Sequence, residues 1–215
     1  MLEKMAEFFE KRLEGYDAHM LSNIDSARVF YPFTAELLPN APECRILDLG
    51  CGTGLELEFY LPRCPRARIT GIDLSEGMLD ALRRKFPDRE LELIAGSYLD
   101  VPLGEGIYDA AVSVESLHHF TPEEKLPLYQ KLRKALSPDG YFVLTDYFSL
   151  SEEEEQVHRQ TLRSLKAAQG ITDRELYHYD TPLTVSHETE VLLAAGFSSV
   201  KVMGQWGATS TLLCR

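Results

Sequence analysis

The pattern of apolar and polar positions predicts seven short strands, with helical patterns in most of the gaps between the first five. The strand-like runs lie at 45–49, 68–72, 91–95, 109–114, 141–146, 198–203 and 208–214. Because strands and helices alternate, we expect a mostly parallel sheet with helices on both faces. The last two runs are joined by only 204–207. So short a link permits a hairpin but no crossover, and the final strand should therefore be antiparallel.

Two regions lie outside this alternating core, and we expect both to belong to one domain. A chain of 215 residues is long enough for a single domain with a sizeable core. The predicted parts are an N-terminal helical cap at 1–40, a ligand-binding core at 44–146, a lid insertion at 147–183, and a final helix with a strand hairpin at 184–215. The cap and the insertion emerge near the carboxyl ends of the strands, where such sheets bind ligands. Together they should cover a substrate.

A glycine-rich loop between the first strand and the following helix is the main functional signal. Gly50, Gly52 and Gly54 follow the strand, and a helix-like segment begins at Leu55. Glycines remove the Cβ atoms that would hold a ligand away from the backbone. The next strand ends in Asp73, about 20 residues further on, where a carboxylate can accept hydrogen bonds from both hydroxyls of a ribose. The loop and Asp73 together predict a nucleoside site.

The loop differs from the dinucleotide-binding fingerprint at one position. That fingerprint needs glycine or alanine three positions after its second glycine, where the helix packs closely on the strand. This chain has Leu55 there, and residues 50–54 contain no arginine or lysine to meet a phosphate. The pattern therefore favours a nucleoside without phosphates over NAD, and an NAD-linked oxidoreductase is the weaker alternative.

Several motifs, in order from about Cys44 to the end of the chain, resemble the class I S-adenosylmethionine-dependent methyltransferases. The similar segments are 48–54, 71–75, 95–98, 108–120 and 136–141, the last of which resembles a turn before the fifth strand. The resemblance implies an α/β, Rossmann-like, doubly wound fold with a seven-stranded, mostly parallel sheet, an antiparallel last strand and a helical lid. It also implies a small-molecule methyltransferase that uses S-adenosylmethionine as its methyl donor and releases S-adenosylhomocysteine.

The loop, Asp73 and the resemblance together give a set of expected donor-binding residues. Segment 95–98 resembles the part that passes beside the adenine, although Ser97 stands where many relatives carry an acidic residue. Tyr16 resembles a tyrosine that closes over the methionine end of the donor. The expected set is Tyr16, Asp48, Gly50, Cys51, Gly52, Thr53, Gly54, Asp73, Leu74, Met78, Ser97, Tyr98 and Glu115.

Several of these residues also have a structural interpretation that the sequence leaves open. Asp48 lies inside an apolar strand, where it can bond to the backbone of the turn or pair with the amino group of the donor. Met78 can belong to the core instead of flanking the adenine. Tyr16 can be an ordinary surface aromatic residue, and Asp73 a solvated aspartate at a helix entry.

The candidate catalytic residues follow the fourth strand. Glu115 lies at its carboxyl end and would face the reacting methyl group, either to orient a nucleophile or to order the loop. His118 is the candidate general base, because histidine titrates near neutrality. Adjacent side chains point in different directions, so at most one of His118 and His119 should face the site, and both can be packing residues. No metal is expected, because no histidine or carboxylate lies at i+4 on a shared helical face.

Composition narrows the expected partners. A formal net charge of −12, from 22 basic and 34 acidic residues, disfavours a nucleic-acid substrate, since binding phosphates relies on lysine and arginine. No apolar run approaches the roughly 18 residues of a membrane span, and the N-terminus lacks the apolar stretch of a signal peptide. We therefore expect a cytoplasmic monomer or homodimer without a membrane partner. The four cysteines show neither metal spacing nor disulfide density.

The leading hypothesis is methyl transfer to a nitrogen, oxygen or carbon nucleophile of a small molecule. The alternative from another class is a non-catalytic S-adenosylmethionine-binding or regulatory protein, which fold resemblance alone does not separate from an enzyme. A variant that handles a sulfonium carrying another group, such as carboxymethyl, would need a cation near the sulfur. Aromatic and histidine residues predicted for the lid favour an aromatic or hydroxyl-bearing acceptor: Tyr31, Tyr147, Tyr177, His178, Tyr179 and His187.

Overall fold

A computed structural model describes residues 1–173 and 175–215 of the chain. Its strands are β1 (Arg45–Leu49), β2 (Arg68–Asp73), β3 (Leu91–Ala95), β4 (Tyr108–Val114), β5 (Leu136–Tyr147), β6 (Val200–Trp206) and β7 (Thr209–Cys214). They form one sheet in the order β3-β2-β1-β4-β5-β7-β6. Strands β1 to β5 pair in parallel, and β7 is antiparallel to both β5 and β6. The predicted doubly wound, mostly parallel sheet with an antiparallel last strand is confirmed.

The helices of the described residues pack on both faces and over the carboxyl ends of the strands. They are α1 (Met5–Glu10), α2 (Tyr16–Asn23), α3 (Ala27–Leu37), α4 (Leu55–Tyr60), α5 (Glu76–Lys85), a 3₁₀ helix (Leu117–His119), α6 (Pro122–Ala135), α7 (Glu152–Ala168) and α8 (Val185–Ala194). Among these described helices, none is long and apolar enough to cross a bilayer. The N-terminal cap thus consists of three short helices, and α7 occupies much of the insertion.

The sheet separates two apolar cores, because alternate side chains of each strand point to opposite faces. Leu47 and Leu49 of β1 pack with residues of α6 and α8, whereas Ile46 packs on the other face with residues of α3, α4 and α5. Helices cover both faces of the sheet. These helices leave the carboxyl ends of the parallel strands available to form a site.

The start of β5 differs from the expected turn at 136–141. The sequence Pro138-Asp139-Gly140 has turn chemistry, but the chain is already paired there, with Leu136 opposite Tyr108. The register then shifts, so that Tyr141 lies opposite Ala110, and the extra residues form a bulge. Pro138, Asp139 and Gly140 therefore form a bulge within β5, and the expected turn before the strand is wrong.

Helix α6 begins at a capping box and continues through an internal proline. Thr121 and Glu124 form a capping box, in which Glu124 Oε2 accepts a hydrogen bond from Thr121 N at 2.9 Å. The helix begins at Pro122, whose missing N–H costs nothing at that position. Pro127 lies inside the helix, which nevertheless runs without a break from Pro122 to Ala135.

A buried pair of carboxyl groups lies beneath the glycine loop. Asp48, in the middle of the sheet, is 1% exposed and Glu56, in α4, is 4% exposed. Asp48 Oδ2 and Glu56 Oε1 have no hydrogen-bond partner among the described residues. Burial raises the pKa of both groups, and the negative charge of Glu56 raises the pKa of Asp48 further. A proton shared between the two carboxyl groups accounts for the pair.

We predict that Glu56→Gln stabilises the fold at pH 8 more than at pH 5. An acid whose pKa rises on folding holds its proton more tightly in the folded state, so wild-type stability falls as the pH rises above the ordinary carboxyl range. The glutamine amide supplies a permanent donor to Asp48 and removes that dependence. Denaturant unfolding at several pH values measures the difference between the two proteins. A difference that shrinks as the pH rises would contradict the shared proton.

Candidate active site

The glycine loop runs directly from the end of β1 into α4. Gly50, Gly52 and Gly54 have φ values of +74°, +48° and +71°, in the left-handed region that glycine tolerates. A Cβ atom on Gly50 would lie 2.0 Å from Ser116 Oγ, and one on Gly54 would lie 2.2 Å from Leu82 Cδ1. A Cβ atom on Gly52 would meet nothing within 4 Å. Two glycines therefore permit close packing, and the third leaves bare backbone facing open space.

Asp73 lies at the end of β2, directly beside this loop. Its Oδ2 atom accepts a hydrogen bond from Gly52 N and its Oδ1 atom accepts one from Ser75 N, both at 2.9 Å. Burial raises the pKa of Asp73, and the N–H groups of Ser75 and Gly52 act against that rise. The structure thus brings together the two features, bare backbone and carboxylate, that the sequence pattern pairs as a nucleoside site.

A small cavity of about 50 Å³, the donor cavity, lies between the loop and Asp73. The expected donor-binding residues on its wall are Tyr16, Gly50, Gly52, Asp73, Leu74, Met78, Tyr98 and Glu115. Sequence reasoning missed Met5, Phe9, Val114, Ser116 and His119, which also line it. Met5 and Phe9 are one helical turn apart in α1, and that apolar spacing was the signal that could have found them.

The other expected donor-binding residues lie off this wall. Asp48 belongs to the core pair, and Cys51 packs against the backbone of Gly71. Thr53 Oγ1 donates to Asp17 Oδ1, which ties α2 and its Tyr16 to the loop. Gly54 serves close packing, as described above, and donor contact by these residues stays a prediction.

Ser97 lines a neighbouring cleft of about 600 Å³, which shares Leu74 with the donor cavity. Met5 lines the donor cavity, whereas the residues on either side of it in the chain, Lys4 and Ala6, line the cleft. The start of α1 therefore separates the two spaces. Donor contact by Ser97 also stays a prediction.

Helix α1 holds the donor cavity in a closed form. Ligand pockets generally have volumes of roughly 300–1,000 Å³, several times the volume of this cavity. Glu10 Oε2 accepts a hydrogen bond from Ser75 Oγ at 2.6 Å and one from Gly77 N at 3.3 Å. These bonds dock α1 on the first turn of α5. With α1 docked in this way, the donor cavity is smaller than a nucleoside.

A larger pocket of about 860 Å³, the acceptor pocket, adjoins the donor cavity. The two share Phe9, Tyr16, Glu115 and His119. The apolar side chains on the wall of the acceptor pocket are Phe8, Phe9, Met20, Ile24 and Trp206. Both predicted lid regions contribute, since Phe8 and Tyr16 come from the cap and His178 and Asp180 come from the insertion.

Of the lid residues proposed from sequence, Tyr147 and His178 line the acceptor pocket. Tyr31 is buried in the core between the sheet and α3, and His187 pairs with Glu155 at 2.8 Å. Tyr177 and Tyr179 flank His178 in the chain but do not line the pocket. Residues next to one another in an extended segment point to opposite sides, which the composition of the segment does not reveal.

Glu115 lies where the two spaces meet. Its φ of +50° is rare for a residue other than glycine. Thr209 Oγ1 donates to its Oε1 atom at 3.2 Å, which holds the side chain across the strand ends. Burial, reinforced by the negative charge of Asp146, raises the pKa of Glu115 to about 7. Glu115 can therefore exchange a proton near neutral pH or accept a hydrogen bond from a ligand.

His118 is held by a buried aspartate. Its Nδ1 atom lies 2.6 Å from Asp146 Oδ1, and Asp146 also accepts from Leu117 N and Tyr147 N. Because an ionised carboxylate only accepts hydrogen bonds, His118 Nδ1 carries a proton and donates it to Asp146. Burial by itself lowers the pKa of His118, but Asp146 raises it to about 9.

His119, His178 and Asp180 complete the polar end of the acceptor pocket. His119 Nδ1 lies 3.1 Å from Asp180 Oδ1, and the ring of His178 stacks on Phe8 with 3.4 Å between centroids. Burial and His118 lower the pKa of His119, and burial and His119 lower the pKa of His178 to about 4. Burial would raise the pKa of Asp180, but the three histidines hold it below its usual range. The expectation that at most one of the adjacent histidines faces the site is wrong, because the 3₁₀ helix turns both toward the pocket.

Comparison with known proteins identifies the fold and supports one family. A family profile described as a methyltransferase domain matches residues 46–140. The carboxy-S-adenosyl-L-methionine synthase of Wolinella succinogenes is 28% identical over 100% of this chain and 95% of its own length. The biotin biosynthesis bifunctional protein BioHC of Teredinibacter turnerae is 30% identical over 72% of this chain, which spans only 26% of that relative.

A solved structure, the DhpI–SAM–HEP complex, has the same fold from end to end. It superposes with a TM-score of 0.73 at 20% identity and covers 97% of this chain and 94% of its own. The profile covers the loop, Asp73 and Glu115, and the sheet ends in the antiparallel hairpin that the resemblance implied. These similarities support a class I S-adenosylmethionine-dependent methyltransferase, a family whose methyl donor is S-adenosylmethionine.

Proposed function

We propose that this chain transfers a methyl group from S-adenosylmethionine to a nucleophilic oxygen or nitrogen of a small molecule. The observation that carries the proposal is the junction of the donor cavity with the acceptor pocket at Phe9, Tyr16, Glu115 and His119. A nucleophile that enters from the acceptor pocket meets the donor there. Transfer leaves S-adenosylhomocysteine.

The donor is placed by the carboxyl ends of β1 and β2. Asp73 binds the ribose hydroxyls, and the backbone of Gly50 and Gly52 forms the floor. Leu74 and Met78 flank the adenine from the wall of the donor cavity. This arrangement aims the sulfonium end toward the junction.

On this proposal, the protein contributes to catalysis mainly by positioning the nucleophile. The sulfonium already activates the methyl group, so the protein supplies alignment of the nucleophile and exclusion of water. Glu115 lies at the junction, and His118, held by Asp146 through Nδ1, also lines the acceptor pocket. Both side chains are placed to hold the heteroatom of an acceptor. A carbon nucleophile would make less use of these polar groups, which is why oxygen or nitrogen is preferred.

The acceptor pocket favours a small molecule with an apolar body and one polar end. Aromatic and aliphatic side chains of the cap form one part of its wall, and His118, His119, His178 and Asp180 form the other. Such a division is common in small-molecule sites, where a few polar groups fix the orientation. A volume of about 860 Å³ accommodates a molecule of the size of the donor itself.

A second candidate function is supported by the end-to-end similarity to the carboxy-S-adenosyl-L-methionine synthase. A carboxymethyl sulfonium would need a free cation near the sulfur. Lys11 and Arg12 line the acceptor pocket, but Lys11 Nζ lies 3.1 Å from Glu3 Oε2 and the Arg12 guanidinium stacks 3.6 Å from the Phe8 ring centroid. Since both cations have partners, methyl transfer is the better supported function. Calorimetry with both sulfonium compounds tests this, and tighter binding of the carboxymethyl form would favour the second candidate.

Asp73→Asn should weaken binding of S-adenosylhomocysteine by about 10- to 100-fold, because hydrogen bonds to a charged group contribute roughly 1.5–3 kcal/mol. Asp88→Asn, which changes an exposed aspartate, is the matched control. Isothermal titration measures the affinities, and thermal unfolding shows that both variants are folded. Equal affinity in the two variants would contradict the assignment of the ribose site.

The same proteins test methyl transfer itself. Wild type and Asp88→Asn, incubated with methyl-labelled donor and a metabolite extract, should produce a labelled small molecule that Asp73→Asn does not. Labelled product from all three proteins would exclude the proposed site. Donor binding by wild type without label in any metabolite would favour the non-catalytic alternative.

Glu10→Ala should speed association of S-adenosylhomocysteine by about fivefold, because the bonds to Ser75 and Gly77 hold α1 closed and contribute about 1 kcal/mol. Glu7→Ala is the matched control, since Glu7 belongs to the same helix and is exposed. Stopped-flow measurements give the rates. Equal rates in the two variants would mean that α1 does not control entry.

A further inference from the structure

Three potential ligand atoms converge at the polar end of the acceptor pocket. They belong to His118, His119 and Asp180, and the ligand atoms that these residues offer lie within 4.8 Å of one another. Asp180 Oδ1 is 3.6 Å from His118 Nε2 and 3.1 Å from His119 Nδ1. We propose that these three side chains form a binding site for a divalent transition-metal ion.

The distances match those between ligands of one ion. Nitrogen and oxygen ligands lie about 2.0–2.1 Å from zinc in a tetrahedral site, which places any two of them about 3.3 Å apart. The observed separations of 3.1 and 3.6 Å lie on either side of that value. Asp180 therefore lies at the separation expected of a shared ion from both histidines, and all three ligand atoms lie within 4.8 Å of one another.

Two of the three atoms have no hydrogen bond to any described residue. His119 Nδ1 and Asp180 Oδ1 are buried and have no hydrogen-bond partner of acceptable geometry among the described residues, although they lie close to each other. His119 as a residue is only 8% exposed. An unpaired buried polar atom is costly and calls for an explanation. An ion bound to both atoms would provide one.

The surroundings of His118 are those of a metal ligand. A metal-bound histidine usually donates its other ring N–H to a carboxylate or carbonyl, which fixes the ring orientation. Here His118 donates from Nδ1 to Asp146, whose own carboxylate is anchored by Leu117 N and Tyr147 N. This leaves Nε2 directed at Asp180.

The backbone also holds the two halves of the cluster together. Thr181 N donates to His118 O at 2.7 Å, which ties the end of the lid insertion to the 3₁₀ helix. Asp180 therefore faces the two histidines across a short, fixed gap. The site is built jointly by the end of β4 and by the lid.

The donor set indicates the class of ion. Two imidazoles and one carboxylate suit zinc, ferrous iron and similar first-row ions, whereas calcium and magnesium prefer oxygen ligands. Three protein ligands leave at least one coordination position open, as in catalytic metal sites. All three ligand residues border the acceptor pocket or its rim. Sequence spacing missed the set because two ligands are adjacent and the third lies far along the chain.

The ion would give the proposed methyltransferase a way to choose its acceptor, and this consequence rests on the proposed function. An open position on a divalent ion binds an oxygen of the acceptor and favours its ionised form. The acceptor class thereby narrows to small molecules with a hydroxyl, phenol or carboxyl oxygen near an apolar body. His118 then acts through the ion instead of as a free base.

Titration of the metal-free full chain with Co²⁺, followed by visible absorption and by equilibrium dialysis, tests the site. We expect one equivalent of Co²⁺ with the bands of a four- or five-coordinate ion. His119→Asn and Asp180→Asn should each lower the affinity at least tenfold. His158→Asn, whose nearest carboxylate contact is Glu154 at 3.9 Å, is the matched control and should bind as wild type does. Unchanged binding in both ligand variants would overturn the proposal.

A second measurement keeps the test decisive if a variant is unstable. Wild-type crystals soaked in Zn²⁺ should show an anomalous peak about 2.0–2.2 Å from the three ligand atoms. A peak elsewhere, or none at that place, would overturn the proposal. Calorimetry with S-adenosylhomocysteine on the same preparations separates the two claims. Donor binding without metal binding refutes the metal site alone, and metal binding without donor binding refutes the proposed function.

Discussion

The hydrogen bond from Gly52 N to Asp73 is the contact on which the rest of the site depends. It joins the bare backbone after β1 to the carboxylate at the end of β2, at 2.9 Å. The parallel register of β1 and β2 brings these two chain segments side by side, with Leu49 opposite Ile72. Because that pairing is fixed by buried side chains on both faces, the sheet itself sets the position of the loop relative to Asp73.

Helix α1, which covers the loop and Asp73, is held differently from the sheet below it. Met5 and Phe9 of α1 line the donor cavity, and α1 is held by their packing on the apolar core, by Glu10 and by backbone contacts with the insertion, such as Met5 N to Leu176 O at 2.8 Å. A short helix held by a small number of such contacts opens more easily than a strand in the middle of a sheet. On the proposed function, the sheet supplies the floor under the donor and α1 covers it, while the insertion contributes His178 and Asp180 to the polar end of the acceptor pocket.

Sequence reasoning predicted the parts that local chemistry determines. Strand order and turn chemistry predict the positions of Gly50, Gly52 and Asp73 and the hairpin at 204–207. The observed sheet confirms the strand order. The placement of His119 and Asp180 did not follow, because it depends on a 3₁₀ turn and on a lid residue about 60 positions away. The buried position of Asp48 followed from its apolar strand, but its neighbour Glu56 did not, since that contact depends on how α4 packs under the loop.

The most direct measurement of the central claim is a crystal structure of the complex with S-adenosylhomocysteine. The account predicts both ribose hydroxyls within hydrogen-bond distance of the Asp73 carboxylate, the adenine between Leu74 and Met78, and α1 displaced from the donor cavity. A complex in which the ribose binds away from Asp73, with Met5 and Phe9 still in the cavity, would contradict it.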